Sequence, residues 1–188
     1  MKKTLFLLFI FINSFISCAP LPSSNMKTDM SSFKKEGMIA GTLSLEDKRT
    51  LSEYKLIYVQ IQSGTNKNIF SDMLNEKKTD FVYNRGEVKF GYSGGDFKEG
   101  NKDVYLFNII KPDGKYRIIE LDIFHNSGSQ LNQYSHKIPV DITFEIEEGK
   151  VKYLGEIKIS INEQKTKLVN KIERDRIKFK EKNSNIAF

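Results

Sequence analysis

Hydrophobic and polar positions alternate along most of the chain from residue 37 onward. Short runs of β-branched and aromatic residues, interleaved with polar ones and separated by turn residues, are typical of strands. These runs cover residues 38–45, 56–62, 81–83, 87–92, 104–110, 116–124, 138–146, 153–161 and 166–172. Because no helical pattern lies between them, the chain is predicted to be all-β, as an antiparallel sandwich or barrel.

Turn residues sharpen some of these predictions. In the segment Lys111-Pro112-Asp113-Gly114-Lys115, the proline presets its φ angle and the glycine accepts a positive one, which predicts a hairpin between 104–110 and 116–124. A second hairpin is predicted at 84–86, between 81–83 and 87–92. Glu148-Gly149 then separates two long alternating strands, 138–146 and 153–161.

Alternation also separates two faces in the strand 56–62. Ile57, Val59 and Ile61 share one face, while Tyr58, Gln60 and Gln62 share the other. An exposed tyrosine between amide side chains suits contact with a carbohydrate or a protein, so Tyr58, Gln60 and Gln62 are candidate ligand contacts. Ordinary cross-strand pairing of an exposed tyrosine explains the pattern equally well.

The N-terminus carries an export pattern. Lys2 and Lys3 precede an unbroken apolar run, Leu5 to Ile12, and the apolar stretch ends by Ile16. This stretch is shorter than the ~20 residues of a membrane-spanning helix, and it predicts a cleaved signal helix over 1–17.

Phe15-Ile16-Ser17-Cys18 resembles the lipobox of bacterial lipoproteins. The resemblance implies cleavage between Ser17 and Cys18, a diacylglycerol on the Cys18 thiol and an acyl chain on the freed amine. Such multiple acylation holds a protein firmly on a membrane. Ala19, where an aspartate would favour the inner membrane, implies the outer membrane. The alternative is an ordinary signal peptide followed by an unmodified cysteine.

Composition divides the rest of the chain. Residues 18–36 contain Pro20, Pro22 and four serines and predict a flexible tether. The sandwich is predicted over 37–172, and 173–188 is predicted to be a basic surface helix or tail.

Two segments of this domain resemble small bacterial lipoproteins with a prealbumin-like or carboxypeptidase-regulatory-like sandwich. FEIEEGKVKYLGEIKISI, residues 144–161, is similar to their C-terminal hairpin, and KPDGKYRI, residues 111–118, is similar to their turn and tyrosine strand. The resemblance implies an antiparallel β-sandwich of about eight strands. It says almost nothing about function, because such sandwiches serve many roles.

Charge is distributed unevenly. The chain has 30 Lys and Arg against 24 Asp and Glu, yet residues 18–162 are balanced and the mature surplus lies entirely in 163–188. This tail is either a patch for anionic lipid or lipopolysaccharide, or simply a solvated charged end. Predicted export disfavours nucleic acid as a partner.

Few residues suggest catalysis or metal binding. The single cysteine excludes a disulfide scaffold, and His125 and His136 are the only histidines. A loop gathers oxygen ligands that suit calcium, although most such clusters are turns; its candidates are Asp96, Glu99, Asn101 and Asp103.

The sequence therefore predicts a lipid-anchored envelope lipoprotein that acts as a non-catalytic binding or structural module, without a cofactor other than its covalent lipid. Its expected partners are the membrane and an envelope protein or glycan. The alternative is an envelope hydrolase or accessory enzyme with a site built from loops. A concave pocket that gathers His125 or His136 with carboxylates would favour the enzyme.

Overall fold

The computed structural model describes residues 26, 35–48, 52–61, 85–91, 94–126, 133–183 and 185–188. They form nine strands and one helix. The elements are β1 (Glu36–Glu46), β2 (Ser52–Ile61), β3 (Gly86–Phe90), β4 (Phe97–Glu99), β5 (Lys102–Pro112), β6 (Gly114–Asn126), β7 (Gln133–Ile146), β8 (Val151–Ser160), β9 (Lys165–Val169) and α1 (Ile172–Lys182). The predicted signal helix, the tether apart from Met26, Lys35 and Glu36, and the run 81–83 lie outside the described residues.

Two sheets form the domain. Sheet A has the order β4-β5-β1-β8-β9, and sheet B has the order β3-β2-β6-β7. The large apolar cluster takes side chains from both sheets, so the chain is an all-β sandwich, as predicted. One pair departs from the antiparallel prediction, because β1 and β8 run parallel. Alternation specifies which residues share a face but not the direction of the neighbouring strand.

The hairpin predicted at Pro112 to Gly114 is wrong. The chain does turn there, but β5 pairs with β1 in sheet A, whereas β6 pairs with β2 and β7 in sheet B. The turn is therefore a corner between sheets. The Tyr116 hydroxyl holds this corner by donating to the Pro112 carbonyl at 2.9 Å, as a tyrosine corner does in other sandwiches.

The β7–β8 turn crosses between the sheets in the same way. Gly149 has a φ of 69°, in the region that glycine tolerates best. Its N–H donates to the Glu36 carbonyl at 2.9 Å, which ties the turn to the start of β1. The strands on either side of the turn are therefore consecutive along the chain without being paired.

Tyrosines fill much of the inner core. Tyr54, Tyr105 and Tyr116 are among the largest fully buried side chains, and the Phe90 and Tyr105 rings meet edge to face with centroids 5.3 Å apart. Buried tyrosines thus share the inner core with phenylalanine and isoleucine side chains. A tyrosine ring buries as much apolar surface as other large side chains, provided that its hydroxyl reaches a partner.

A second apolar cluster lies on the outer face of sheet A, beneath α1 and the C-terminus. Its buried members are Met38, Ala40, Leu106, Phe179 and Ile186. The last strand is shorter than predicted, because β9 ends at Val169 and α1 begins at Ile172. The helix predicted in the tail exists, but it covers a sheet through Phe179 instead of lying loosely on the surface.

Candidate functional site

The predicted lipidation site, Ser17 and Cys18, lies outside the described residues. The most N-terminal described residue is Met26, which packs against the outer apolar cluster. Among the described residues no helix is long and apolar enough to cross a membrane.

Tyr58 does not lie on an exposed face. Its side chain belongs to the inner core with Tyr54 and Leu56, and burial raises the pKa of its phenol. Ile61, predicted to point inward, is exposed. Ile57 is buried as well, and the register of β2 against β6 shifts between Ile57 and Tyr58, so the predicted division of β2 into an apolar face and an exposed polar face does not hold. Gln60 is half-buried and Gln62 lies outside the described residues.

Tyr58 nevertheless lines a cleft. This edge cleft, of about 450 Å³, opens at the side of the sandwich where β3 faces β5. Its lining residues are Met26, Tyr58, Glu87, Val88, Lys89, Phe90, Leu106, Phe107, Asn108, Ile109, Ile110 and Lys111. The Lys111 ammonium lies 6.0 Å from the centroid of the Tyr58 ring, so the mouth of the cleft has a cationic side. A contact between Tyr58 and a ligand stays a prediction.

The four calcium candidates do not converge. Asp96 accepts a hydrogen bond from the Leu106 N–H at 2.8 Å, and Asp103 pairs with Lys48 at 3.2 Å. Glu99 lies on the opposite side of the sheet, where it pairs with α1, and Asn101 is exposed at the tip of the β4–β5 turn. No group of three or more metal-binding side chains occurs within the described residues.

Both histidines lie at one end of the sandwich. The register places Ser52, His125 and Tyr134 side by side on β2, β6 and β7, and places His136 opposite Ile123. The His125 and Tyr134 rings lie 4.9 Å apart, and His125 Nδ1 lies 3.1 Å from the Ser52 hydroxyl. Because cross-strand partners in an antiparallel pair share a face, these side chains cap the inner core at this end.

The histidine end contains a small pocket between the sheets. This pocket, of about 260 Å³, is lined by Tyr134, Ser135, His136, Ile161, Asn162 and Gln164. The last three belong to the turn between β8 and β9. No carboxylate is among the lining residues within the described part of the chain, so the arrangement that would favour the enzyme is not formed by these residues.

A basic groove adjoins this pocket on the outer face of sheet A. The groove, of about 610 Å³, shares Gln164 with the pocket and is lined by Glu46, Lys158, Ser160, Glu163, Gln164, Lys165, Thr166 and Lys167. We call the groove and the pocket together the end surface. Gln164 has a φ of 53°, a left-handed conformation that closes the turn joining them.

Glu46 organises the cations of the groove. Its Oε1 atom accepts from the Lys102 ammonium at 2.9 Å and from the Lys158 ammonium at 3.1 Å. These two contacts hold the pKa of the Glu46 carboxyl below its ordinary value, and the contact with Glu46 raises the pKa of Lys102. Glu46 therefore serves two lysines, and Glu163 pairs with Lys165 at 2.9 Å, so the groove keeps a modest excess of positive charge.

A buried ionic cluster fastens α1 to sheet A. Asp175 is fully buried, and its Oδ2 atom accepts from Thr42 at 2.8 Å and from Tyr153 at 2.6 Å. The Arg174 guanidinium reaches Glu99 at 2.6 Å and Glu156 at 3.0 Å. Burial, followed by the hydrogen bond to Asp175, raises the pKa of the Tyr153 phenol. Glu156 Oε2 meets Arg174 as an ion pair without a hydrogen bond, while Asp175 is fully hydrogen-bonded to its neighbours, so the cluster acts as a structural anchor.

Several charged residues of the C-terminal tail form ion pairs or hydrogen bonds within the protein. Besides Arg174, Arg176 donates to the Phe188 carbonyl at 2.9 Å and Lys178 pairs with Glu181 at 2.8 Å. The sequence suggested none of this, because Arg174 and Asp175 sit in a run of charges that reads as a solvated surface. Their partners come from β1, β4 and β8, far away along the chain.

Comparison with known protein families and with curated proteins finds no match. Among solved structures, a leucine-rich repeat protein from Bacteroides thetaiotaomicron aligns with 68% of this chain and 14% of that chain, at 13% identity and a TM-score of 0.37. A likeness at this level carries no argument about fold or function.

Proposed function

We propose that the protein is a lipid-anchored cell-envelope lipoprotein, attached to the outer membrane through Cys18, whose sandwich is a non-catalytic binding module. The observation that carries the proposal is the run Phe15-Ile16-Ser17-Cys18 after a short apolar stretch of sequence. A diacylglycerol and an N-acyl chain on one cysteine would supply the two or more chains that stable anchoring needs.

The placement of the described surfaces supports a binding role. Met26 packs beside the N-terminal half of β1, and the end surface lies beyond Glu46 at the other end of that strand. The eight Cα-to-Cα steps from Cys18 to Met26 span at most about 29 Å. An anchored domain would then hold the end surface away from the lipid, where a partner can reach it.

Cys18→Ser tests the anchor. The full chain is expressed in a diderm bacterium with radiolabelled palmitate, and we expect the wild type to carry label and fractionate with the outer membrane. The variant should accumulate as an unlabelled, uncleaved precursor, because acylation precedes cleavage in the lipoproteins that the N-terminus resembles. Label and normal processing in Cys18→Ser, or a wild type that carries no lipid, would contradict the proposal.

An envelope hydrolase is the second candidate, favoured by the contact of 3.1 Å between the Ser52 hydroxyl and His125 Nδ1. Ser52 has 1% of its surface exposed, which leaves little room for a substrate. A fluorophosphonate probe, which reacts with activated serines, distinguishes the hydrolase from the binding module. Labelling of the wild-type protein that is lost in Ser52→Ala would favour the hydrolase. We expect no labelling of either protein.

A further inference from the structure

The end surface combines a groove in which lysines outnumber carboxylates with an exposed aromatic side chain. We propose that it binds an anionic polysaccharide, with Lys158 and Lys167 holding the negative groups and Tyr134 stacking on a sugar ring. This inference rests on the proposed function, because it names the ligand class of that binding module.

The first argument comes from strand register. Lys158 on β8 lies directly opposite Lys167 on β9, and Ser160 lies opposite Lys165 one step further along. Like charges directly opposite each other on neighbouring strands destabilise a sheet. Glu46 partly compensates for Lys158, but no carboxylate within the described residues lies within 4 Å of the Lys167 ammonium. The fold therefore tolerates a repulsion that a bound anion would relieve.

The second argument is the geometry of the charge. Neighbouring strands are about 4.8 Å apart, and alternate residues of one strand are about 6.7 Å apart. Lys158 and Lys167 thus lie along an open groove of about 610 Å³, next to Lys165, which pairs with Glu163 at 2.9 Å. Such spacing fits a chain with repeated negative groups better than a single phosphate, which convergent backbone N–H groups would hold.

The third argument is the adjoining pocket. Tyr134 has 41% of its surface exposed, and its ring lies 4.9 Å from the His125 ring at an angle of 30°, so the two rings together present an aromatic surface. The side chains of Asn162 and Gln164 line the same pocket and carry amide groups that can donate to and accept from sugar hydroxyls. An amphipathic ring with amide groups around it suits carbohydrate, which presents both apolar faces and hydroxyls.

A matched pair of double variants tests the proposal. Full-length protein extracted in detergent is titrated with dextran sulfate and with uncharged dextran at physiological salt. We expect K158Q/K167Q to weaken binding of dextran sulfate about tenfold, since each lysine near an anionic surface contributes measurably. The control, K180Q/K182Q, removes the same charge from exposed positions at the far end of α1 and should weaken binding less than about twofold.

Tyr134→Ala separates stacking from charge. It should weaken binding of dextran sulfate about threefold and leave the salt dependence unchanged, because no cation is removed.

Equal weakening by the two double variants would overturn the proposal, since net charge alone would then explain binding. Absence of binding, equal affinity for uncharged dextran, or binding only to phosphatidylglycerol vesicles would also overturn it. The palmitate labelling of Cys18 is measured independently of these binding assays. A failure of the proposed ligand can therefore be distinguished from a failure of the proposed lipid anchor.

Discussion

At the scale of single residues, Tyr116 shows how one side chain secures a change of sheet. Its ring is buried in the inner core, and its hydroxyl reaches back four residues to the Pro112 carbonyl. The chain there could have closed a hairpin, since the turn residues permit one. The partly buried hydrogen bond of the hydroxyl instead stabilises the corner in which β5 and β6 separate.

Tyr116→Phe removes that hydrogen bond and little else. We expect the free energy of unfolding to fall by about 1–2 kcal/mol, because the Pro112 carbonyl loses its partner. Urea denaturation followed by circular dichroism measures the loss. Tyr58→Phe is the control, since no hydrogen bond of its hydroxyl occurs within the described residues, and it should change stability by less than about 0.5 kcal/mol. Equal losses in both variants would contradict the role of the corner.

The lowered pKa of Glu147 predicts that the stability of the fold depends on pH in the acidic range. Hydrogen bonds from Lys150 and then from Lys152 hold the pKa of its carboxyl at about 2, below the ordinary value of 4.5. A carboxyl with a lowered pKa stabilises the fold above its unfolded pKa, and this contribution is lost as pH falls towards the folded pKa. The stabilisation should therefore be present at neutral pH and disappear between about pH 4.5 and pH 2.

Thermal melts of Glu147→Gln check this expectation. The variant should melt below the wild type at neutral pH, and the difference should shrink as pH falls towards 2. Glu145→Gln serves as the control, because no lysine lies within 4 Å of this exposed glutamate in the described part of the chain. A constant difference between Glu147→Gln and wild type over the whole pH range would contradict the assignment.

At the scale of elements, α1 is held by what lies beneath it. The Tyr153 hydroxyl accepts from the Lys171 N–H at 3.1 Å and donates to Asp175, so it joins the start of the helix to β8. Asn170 accepts from the Ile172 N–H at 3.0 Å and satisfies another donor of the first turn. The helix thus depends on contacts with the sheet more than on its own sequence.

Asp175→Ala should therefore be severe. It leaves the hydroxyls of Thr42 and Tyr153 without their acceptor and removes one anion from the buried guanidinium, at a cost of about 3–5 kcal/mol in the free energy of unfolding. Glu173→Ala, an exposed position on the same helix, should cost less than about 0.5 kcal/mol. Similar values for the two variants in chemical denaturation would show that the ionic cluster is not structural.

At the scale of the whole molecule, sheet A carries apolar side chains on both faces over part of its length. Its inner face meets sheet B, while Met38, Ala40 and Leu106 on the outer face meet α1 and the C-terminus. The molecule thus has three layers at one end of β1 and two at the other. The groove beside Glu46 remains open because α1 covers β1 only from Met38 to Thr42.

Phe179→Ala tests the third layer. Phe179 is fully buried, whereas Ile177 on the same helix has 59% of its surface exposed. We expect Phe179→Ala to lower the free energy of unfolding by about 3–5 kcal/mol and to increase binding of a hydrophobic dye, because the outer face of sheet A becomes accessible. Ile177→Ala should leave both readouts close to wild type, and a comparable effect of that control would refute the layer.

The sequence by itself determined the class of fold, because alternation and turn residues are local signals that survive without knowledge of partners. Eight of the nine strands of the described residues lie on predicted runs, whereas the short strand β4 was not predicted. The export pattern around Cys18 is likewise a local signal, formed by neighbouring residues of the sequence. The lipid that it implies stays a prediction.

Only the tertiary structure decided which strand pairs with which, which face of β2 points inward, and what the charged tail contacts. Each of these depends on residues far apart in the chain: Tyr58 is buried because sheet A closes over it, and Asp175 is buried because Thr42 and Tyr153 meet it. The end surface arises in the same way, from β1, β7 and the β8–β9 turn. Burial and electrostatic pairing are properties of assembled layers, so no local pattern could have predicted them.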